Sequence, residues 1–442
     1  MSKTIYFLGI GGIGMSALAR YFLRRGDRVY GYDHVASAIT QQLQQEGAII
    51  HFDDDVSQIP EHVDEVVYTP AIPHDHSELS YFQKHGYPIY KRAQVLGNLA
   101  QGHPTIAVAG THGKTTTTAM LTQLLAPYRK LLAFIGGVAK NFDSNFLIDN
   151  NFDTVVAEAD EFDRSFLTLY PHVAVITSMD ADHLDIYGDQ RHLVESFQLF
   201  ANQIDADGTL VIHEKVADKV AHARKLTYGT GEGCDFRIAD ERLEPGGARF
   251  NLYHTDGCLR DVVVGVPGAH NVLNAAAACA VGILLKLSDE QIRERMAAFE
   301  GVRRRFDYRV RRPDFVYIDD YAHHPEEIRA ILTAVKKIYA GKEVTVVFQP
   351  HLYTRTRDFG PQFAEVLALA DRVVLLDIYP AREEPIPGIT SQWLLDQVPC
   401  VRKVLVTKEK LLPYLQEDRP QVLLTVGAGD IDRLVPVLER GL

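Results

Sequence analysis

The run Gly110-Thr111-His112-Gly113-Lys114-Thr115-Thr116-Thr117 holds the residues best suited to chemistry. It follows the apolar stretch Thr105–Ala109 and precedes a helical pattern, Ala119–Leu125. Strand, glycine-rich turn, lysine, hydroxyl and helix start together make a triphosphate cradle. Backbone N–H groups of the turn and of the helix N-terminus point at phosphate oxygens. Lys114 reaches the β- and γ-phosphates, and the Thr115 hydroxyl can hold Mg²⁺. Val108 stands where the usual pattern has its first glycine, so this loop is a shorter variant. A glycine turn with an exposed lysine is the plainer alternative; the strand context and the Gly-Lys-Thr order weigh against it.

A second cradle lies at the start of the chain. Gly9, Gly11 and Gly14 satisfy G-x-G-x-x-G between the strand Thr4–Leu8 and a helix from Ala17, and Asp33 ends the next strand. A tight turn lets a diphosphate approach a helix N-terminus, and this serves a dinucleotide and a UDP-sugar equally well. A chain with one diphosphate cradle and one triphosphate cradle suggests ATP-driven chemistry on a nucleotide-activated molecule.

Other polar groups follow predicted strands. Glu158, in Glu158-Ala159-Asp160-Glu161, and His183 are placed to hold Mg²⁺ or Mn²⁺ near the γ-phosphate; the alternative is a solvated carboxylate and a structural imidazole. In Pro267–Asn274, Asn271 reads as a helix N-cap, and Asn274 reads either as a capping residue or as a reader of a base edge. Arg303-Arg304-Arg305 is either a phosphoryl clamp or a solvated charge run. Asp319–Pro325 and Gln349–Arg357 are strand-end loops dense in His, Arg and Tyr, and such pairs of loops form binding faces.

The elements that must position these groups alternate strand and helix along nearly the whole chain, which predicts α/β folding with largely parallel sheets. Three blocks emerge: 1–103, 104–307 and 308–442. Within the second, residues 208–266 read as a β-rich wing, followed by helices at Asn271–Leu287 and Asp289–Phe299. The 442 residues are 46% hydrophobic and 24% charged, with a net charge of −12. That balance argues against a general nucleic-acid or membrane-surface binder. Four scattered cysteines without C-x-x-C spacing fit a reducing compartment and give no zinc signature. Met1–Phe7 runs straight into a strand, so no signal peptide is expected, and no apolar run is long enough for a membrane helix.

Taken in order, GIGGIGMS (Gly9–Ser16), GTHGKTTT (Gly110–Thr117), EADE (Glu158–Glu161), Asp182-His183, PGAHNVLN (Pro267–Asn274), GVRRRF (Gly301–Phe306), DDYAHHP (Asp319–Pro325), FQPHLYTRTR (Phe348–Arg357) and PIPG (Pro385–Gly388) span the chain. As an ordered set they resemble the Mur ligase family of peptidoglycan synthesis, and within it the branch that adds the first amino acid. The resemblance implies three domains: an N-terminal Rossmann-like domain for the UDP-sugar, a central P-loop-type ATPase domain and a C-terminal Rossmann-like domain. It implies UDP-N-acetylmuramate, L-alanine and ATP as substrates, Mg²⁺ with Mn²⁺ as the alternative ion, a cytoplasmic setting, and neither nucleic acid nor membrane insertion.

The resemblance also implies roles. Gly110, Thr111, His112, Gly113, Lys114, Thr115 and Thr116 cradle ATP, with Lys114 on the transferring phosphoryl. Thr115, Glu158 and His183 hold metal. His270, Asn271 and Asn274 form the adenine and ribose pocket, while Arg305 and Asp320 reach ATP from the junction and the third block. Gly11, Gly12, Gly14, Met15, Ser16 and Asp33 face the UDP moiety. His323, His351 and Arg355 are candidates for gripping a carboxylate or the amino acid. Two departures are informative. The stretch Glu195–Phe200 has no lysine where later-acting siblings carry a carbamylated one, and Leu352 stands where some relatives have Arg. The rival readings are a nicotinamide-dependent oxidoreductase, a P-loop regulatory or motor module, and a family member that recycles murein peptides. ATP contacts split between the second and third blocks predict closure on binding. X-ray scattering in solution should therefore show compaction when an ATP analogue and UDP-sugar are both added; an unchanged radius of gyration would contradict it.

Overall fold

The computed structural model describes residues 2–180, 189–381 and 383–442. His183 and Asp182 lie outside the described residues. Among the described residues the strands form three sheets, of five, ten and six strands, each dressed with helices in a three-domain α/β architecture. The chain divides into two compact units, Met1–Ala239 with Leu252–Arg260 and Leu273–Met296, and Asp240–Asn251 with Asp261–Val272 and Ala297–Leu442.

The first sheet comprises β1 (Thr4–Leu8), β2 (Arg28–Tyr32), β3 (Ile49–His51), β4 (Glu65–Tyr68) and β5 (Ile89–Lys91), in the order β3-β2-β1-β4-β5. All pairs are parallel. β1 is the apolar run TIYFL, buried along its length, as a strand covered on both faces must be. The strand order reverses at β1, so a crevice opens at its carboxyl end. There the glycine turn sits, and the helix Ile13–Arg25 begins.

The second sheet comprises β6 (Thr105–Ala109), β7 (Leu131–Ala139), β8 (Ser144–Ile148), β9 (Thr154–Glu158), β10 (Val173–Ile176), β11 (Thr209–His213), β12 (Lys225–Gly229), β13 (Phe236–Glu244), β14 (Gly247–His254) and β15 (Gly257–Val264). Its order is β15-β14-β13-β12-β11-β10-β6-β9-β7-β8. β6 is central, with β9 parallel on one side and β10 parallel on the other. Residues 208–266 do form strands, as expected, but β11 and β12 extend the central sheet in parallel register instead of standing apart from it. The helix Lys114–Leu125 is buried from Thr115 onward. Its threonines are poor helix formers. Here Thr118 and Thr122 donate their hydroxyls to the carbonyls of Lys114 (2.9 Å) and Thr118 (2.8 Å), so burial leaves these two satisfied.

The third sheet comprises β16 (Asp307–Arg311), β17 (Val316–Asp320), β18 (Val344–Phe348), β19 (Arg372–Leu375), β20 (Lys403–Leu405) and β21 (Val422–Val426), in the order β16-β17-β21-β18-β19-β20. Only the edge pair β16–β17 is antiparallel among its described pairs. The helix expected from Asn271 begins at Ala269 and ends at Leu284.

The turn after β9 is pinned by aromatic packing. Phe166, in the 3₁₀ turn Phe162–Thr168, stacks on Phe200 (5.0 Å between ring centroids) and meets Phe197 edge-on (5.3 Å). Its N–H also donates to the Asp160 carbonyl at 2.8 Å. Phe166→Ala should cost about 3–5 kcal/mol of stability, since it removes a fully buried ring. Chemical denaturation measures this, and an unchanged midpoint would show that the ring anchors nothing.

Candidate functional site

The parallel register brings three loops to one edge. Ala109 of β6 pairs with Ile176 of β10, and Val108 pairs with Glu158 of β9. The loop after β6 therefore lies between the loops after β9 and β10, at their carboxyl ends. Gly110 has φ +137°, and a Cβ there would sit 2.1 Å from Thr177 Oγ1. Gly113 has φ +82°, and its Cβ would sit 2.5 Å from Asn274 Oδ1. Both positions are thus closed to any side chain, by conformation and by space. The loop after β10 braces the cradle: Ser178 Oγ accepts from the His112 N–H (2.8 Å) and contacts Thr111 Oγ1 (2.9 Å), while the Thr111 hydroxyl accepts from the Asp180 N–H (3.0 Å).

Lys114 opens the helix Lys114–Leu125 and folds back over the loop. Its ammonium donates to the Gly110 carbonyl at 2.6 Å and to Glu161 Oε1 at 2.9 Å, and Glu161 Oε2 lies 2.7 Å away. Glu161 is completely buried. Burial by itself would lower the Lys114 pKa, but the carboxylates of Glu161, Asp160 and Glu158 outweigh it and raise the pKa above the ordinary lysine value. The amine is therefore a fixed positive charge. In the sequence Glu161 carries no role beyond its place in the run Glu158–Glu161; the signal for it is its position just after a buried strand.

Glu158 ends β9, and the Gly136 N–H donates to its Oε2 at 2.9 Å. A Cβ on Gly136 would come within 2.2 Å of that oxygen, so the glycine is what lets the carboxylate lie against the backbone of β7. Glu158, Gly136 and Arg92 line a cavity of about 250 Å³ together with Gly12, Gly14 and Met15 of the glycine turn. The turn itself is held from behind. Asp33 Oδ2 accepts from the Gly11 N–H (2.7 Å) and Oδ1 from the Val35 N–H (3.2 Å), so this carboxylate braces backbone. Ser16 is buried, with its hydroxyl on the Ile13 carbonyl at 2.9 Å.

The remaining sequence-predicted residues gather in the other compact unit. His270 is half-buried beside Arg305, and desolvation first, then that charge, lowers its pKa to about 4, so the imidazole is neutral at pH 7. Asp320 ends β17 and accepts from the N–H groups of Phe306 (2.7 Å) and Ala322 (2.8 Å). Burial raises its pKa to about 6 against the opposing pull of Arg305. Arg305 pairs with Glu327 at 3.7 Å and lies 5.1 Å over the Tyr321 ring, and Glu327 also stands 3.4 Å from His323 Nδ1.

His323 and His351 are 6.1 Å apart between ring centroids, although β21 runs between the strands that carry their loops. Arg355 falls in the first turn of the helix Tyr353–Leu367, behind Leu352, which has φ +69°. Of the arginine cluster, Arg304 is spent structurally, on Asp319 (3.2 Å) and the Gly427 carbonyl (2.5 Å). Asn271 is not an N-cap: the helix has started two residues earlier, and the Asn271 amide donates to the Pro267 carbonyl at 2.7 Å. Asn274 stands one turn on, against Gly113.

Three family profiles match the chain in succession: "Mur ligase family, catalytic domain" over residues 4–104, "Mur ligase middle domain" over 108–282, and "Mur ligase, glutamate ligase domain" over 304–429. A UDP-N-acetylmuramate–L-alanine ligase of Parabacteroides distasonis is 48% identical, over 99% of this chain and 96% of its own. One from Cytophaga hutchinsonii is 44% identical over 98% and 95%. The crystal structure of the UDP-N-acetylmuramate–alanine ligase of Thermotoga maritima superposes with a TM-score of 0.86 at 28% identity, covering 99% of this chain and 98% of that one. A murein peptide ligase of Psychrobacter arcticus shares the fold, with a TM-score of 0.72 at 22% identity over 100% and 98%. With three family profiles in succession and this full-length likeness, the chain belongs to the Mur ligase family.

Proposed function

We propose that this chain is an ATP-dependent ligase that joins L-alanine to the lactyl carboxylate of UDP-N-acetylmuramate, a step of peptidoglycan precursor synthesis in the cytoplasm. One observation carries the reading beyond family membership: the glycine turn Gly12–Met15 and Glu158 line the same cavity. A substrate whose diphosphate rests on the turn extends its other end toward the triphosphate cradle. We assign residues 1–103 to the UDP-sugar, 104–307 to ATP and 308–442 to further ATP contacts and the amino acid.

In this mechanism a lactyl carboxylate oxygen attacks the γ-phosphorus of ATP and ADP leaves, giving an acyl phosphate. The free amine of alanine then attacks the acyl carbon. The tetrahedral adduct collapses to an amide, phosphate departs with the C–O bond electrons, and the amine proton passes to solvent. Phosphoryl transfer of this kind depends on positioning and charge neutralisation. Lys114 supplies a permanent charge at the transferring group, and the turn Gly110–Thr116 cradles the phosphates, its Thr111 and His112 N–H groups being held by Ser178. Asn274, beside Gly113, together with His270 and Asn271, serves the nucleoside. A neutral His270 can accept as well as donate a hydrogen bond. Arg305 and Asp320 complete the ATP contacts, and His323, His351 and Arg355 take the carboxylate of alanine. The hydroxyl of Thr115 would hold one Mg²⁺, and the carboxylate of Glu158 with His183 a second, donor types that suit this ion. When bound, such ions neutralise charge on the phosphate oxygens.

Phosphate release from Mg-ATP should require both UDP-N-acetylmuramate and L-alanine. Glycine and serine should be poorer by only about 10–200-fold, because one small group in a pocket discriminates weakly. Release driven better by a muramyl-type peptide, or release needing neither substrate, would overturn the assignment. Lys114→Ala should lower kcat by about 10²–10³ or more while UDP-sugar affinity is retained, as calorimetry would show; loss of both would mean the UDP-sugar site is misassigned. Gly136→Ala should push Glu158 off its amide and cut turnover at least about tenfold. Activity equal to the parent's would remove Glu158 from the reacting centre.

A further inference from the structure

Asn145 is the second residue of β8, is fully buried, and belongs to none of the motifs described above. Its amide nitrogen donates to the Ile13 carbonyl at 2.5 Å and to Ser16 Oγ at 3.0 Å. Its amide oxygen accepts from Arg20 Nη1. The guanidinium fixes the orientation of the amide, since the opposite flip would set two donors against each other. Arg20 is 6% exposed and is itself held by Glu46 at 3.0 Å and Gln42 at 3.3 Å. The three groups that Asn145 touches all belong to the helix that starts at the glycine turn. Two lie in its first turn, where free N–H groups face a bound anion.

The other strand of the β7–β8 hairpin carries Gly136, whose N–H holds Glu158. One hairpin therefore grips the start of the UDP-side helix at one position and the Glu158 carboxylate at another. We propose that Asn145 is a positioning residue, which fixes the first turn of the diphosphate-binding helix relative to the phosphoryl-transfer centre. This inference rests on the reading of the glycine turn as the UDP-sugar site.

The test uses the full-length enzyme with two variants. Asn145→Leu keeps the volume and removes every hydrogen bond. Asn145→Asp keeps the acceptor for Arg20 and removes both donors, and it decides the matter if the leucine variant does not fold. Both should raise the KM for the UDP-sugar about tenfold or more, as expected for leaving buried partners unsatisfied. The KM for ATP and the kcat at saturation should stay within about twofold of the parent. Parent-like KM values in a folded variant would overturn the proposal, and so would a parallel rise for both substrates, which marks general loosening. Failure of the parent enzyme to bind the UDP-sugar would instead sink the reading on which the inference rests.

Discussion

A charged amine cannot be buried without a partner, and the arrangement around Lys114 follows from that constraint. Removing an ammonium from water costs several kcal/mol even after relaxation. Glu161, the Gly110 carbonyl and the nearby Asp160 and Glu158 offset it. To place Glu161 there, the chain must leave β9 into a turn that doubles back at once, and Phe166 packed on Phe200 and Phe197 holds that turn closed. To place Lys114 there, the loop after β6 must be too tight for any side chain at Gly110. The central sheet is thus ordered around one ion pair, with β9 beside β6 because the two partners leave those strands.

The same economy of space recurs at Gly136. Here a carboxylate, not a turn, excludes the side chain: Glu158 occupies the volume a Cβ would take and is hydrogen-bonded to the amide beneath it. An acid fixed against backbone loses little further freedom when it meets a cation or a phosphate, so the ordering entropy is spent during folding and not at each turnover. The glycine turn after β1 uses a related device. Asp33 ties down the Gly11 amide, leaving the helix N-terminus beyond it to meet the anion.

Much of this was legible in the residues. Thr105–Ala109 matches β6 to the residue, and the small residues after it mark the tight turn into the helix Lys114–Leu125. The glycine spacing Gly9–Gly14 similarly announced the turn after β1. What the sequence hid was partnership. Glu161 stands in the run Glu158–Glu161 with nothing local to single it out, and only burial against Lys114 distinguishes it. Asp33 read as a ligand contact, yet its oxygens face backbone amides. Asn271 read as a cap because Asn favours that position, but the helix starts earlier, after Pro267-Gly268. Asn145 carried no signal at all: its partners are 125, 129 and 132 residues away, and no local pattern encodes a contact of that range.

The two phosphate cradles differ in how they meet their charge, and the difference fits their tasks. On the proposed reading, the triphosphate loop carries its own cation, Lys114, held well into the charged state, to meet charge as it moves during phosphoryl transfer. The diphosphate turn carries no lysine; it offers a helix N-terminus, and its nearest lining cation is Arg92, itself 3.6 Å from Asp160. A diphosphate that only anchors a substrate needs a fixed direction more than a strong charge. Direction comes from what grips the helix, and in this chain that grip comes from β8, a strand of the neighbouring sheet. The glycine turn and Glu158 are therefore tied to one another through the backbone and amide contacts of one hairpin.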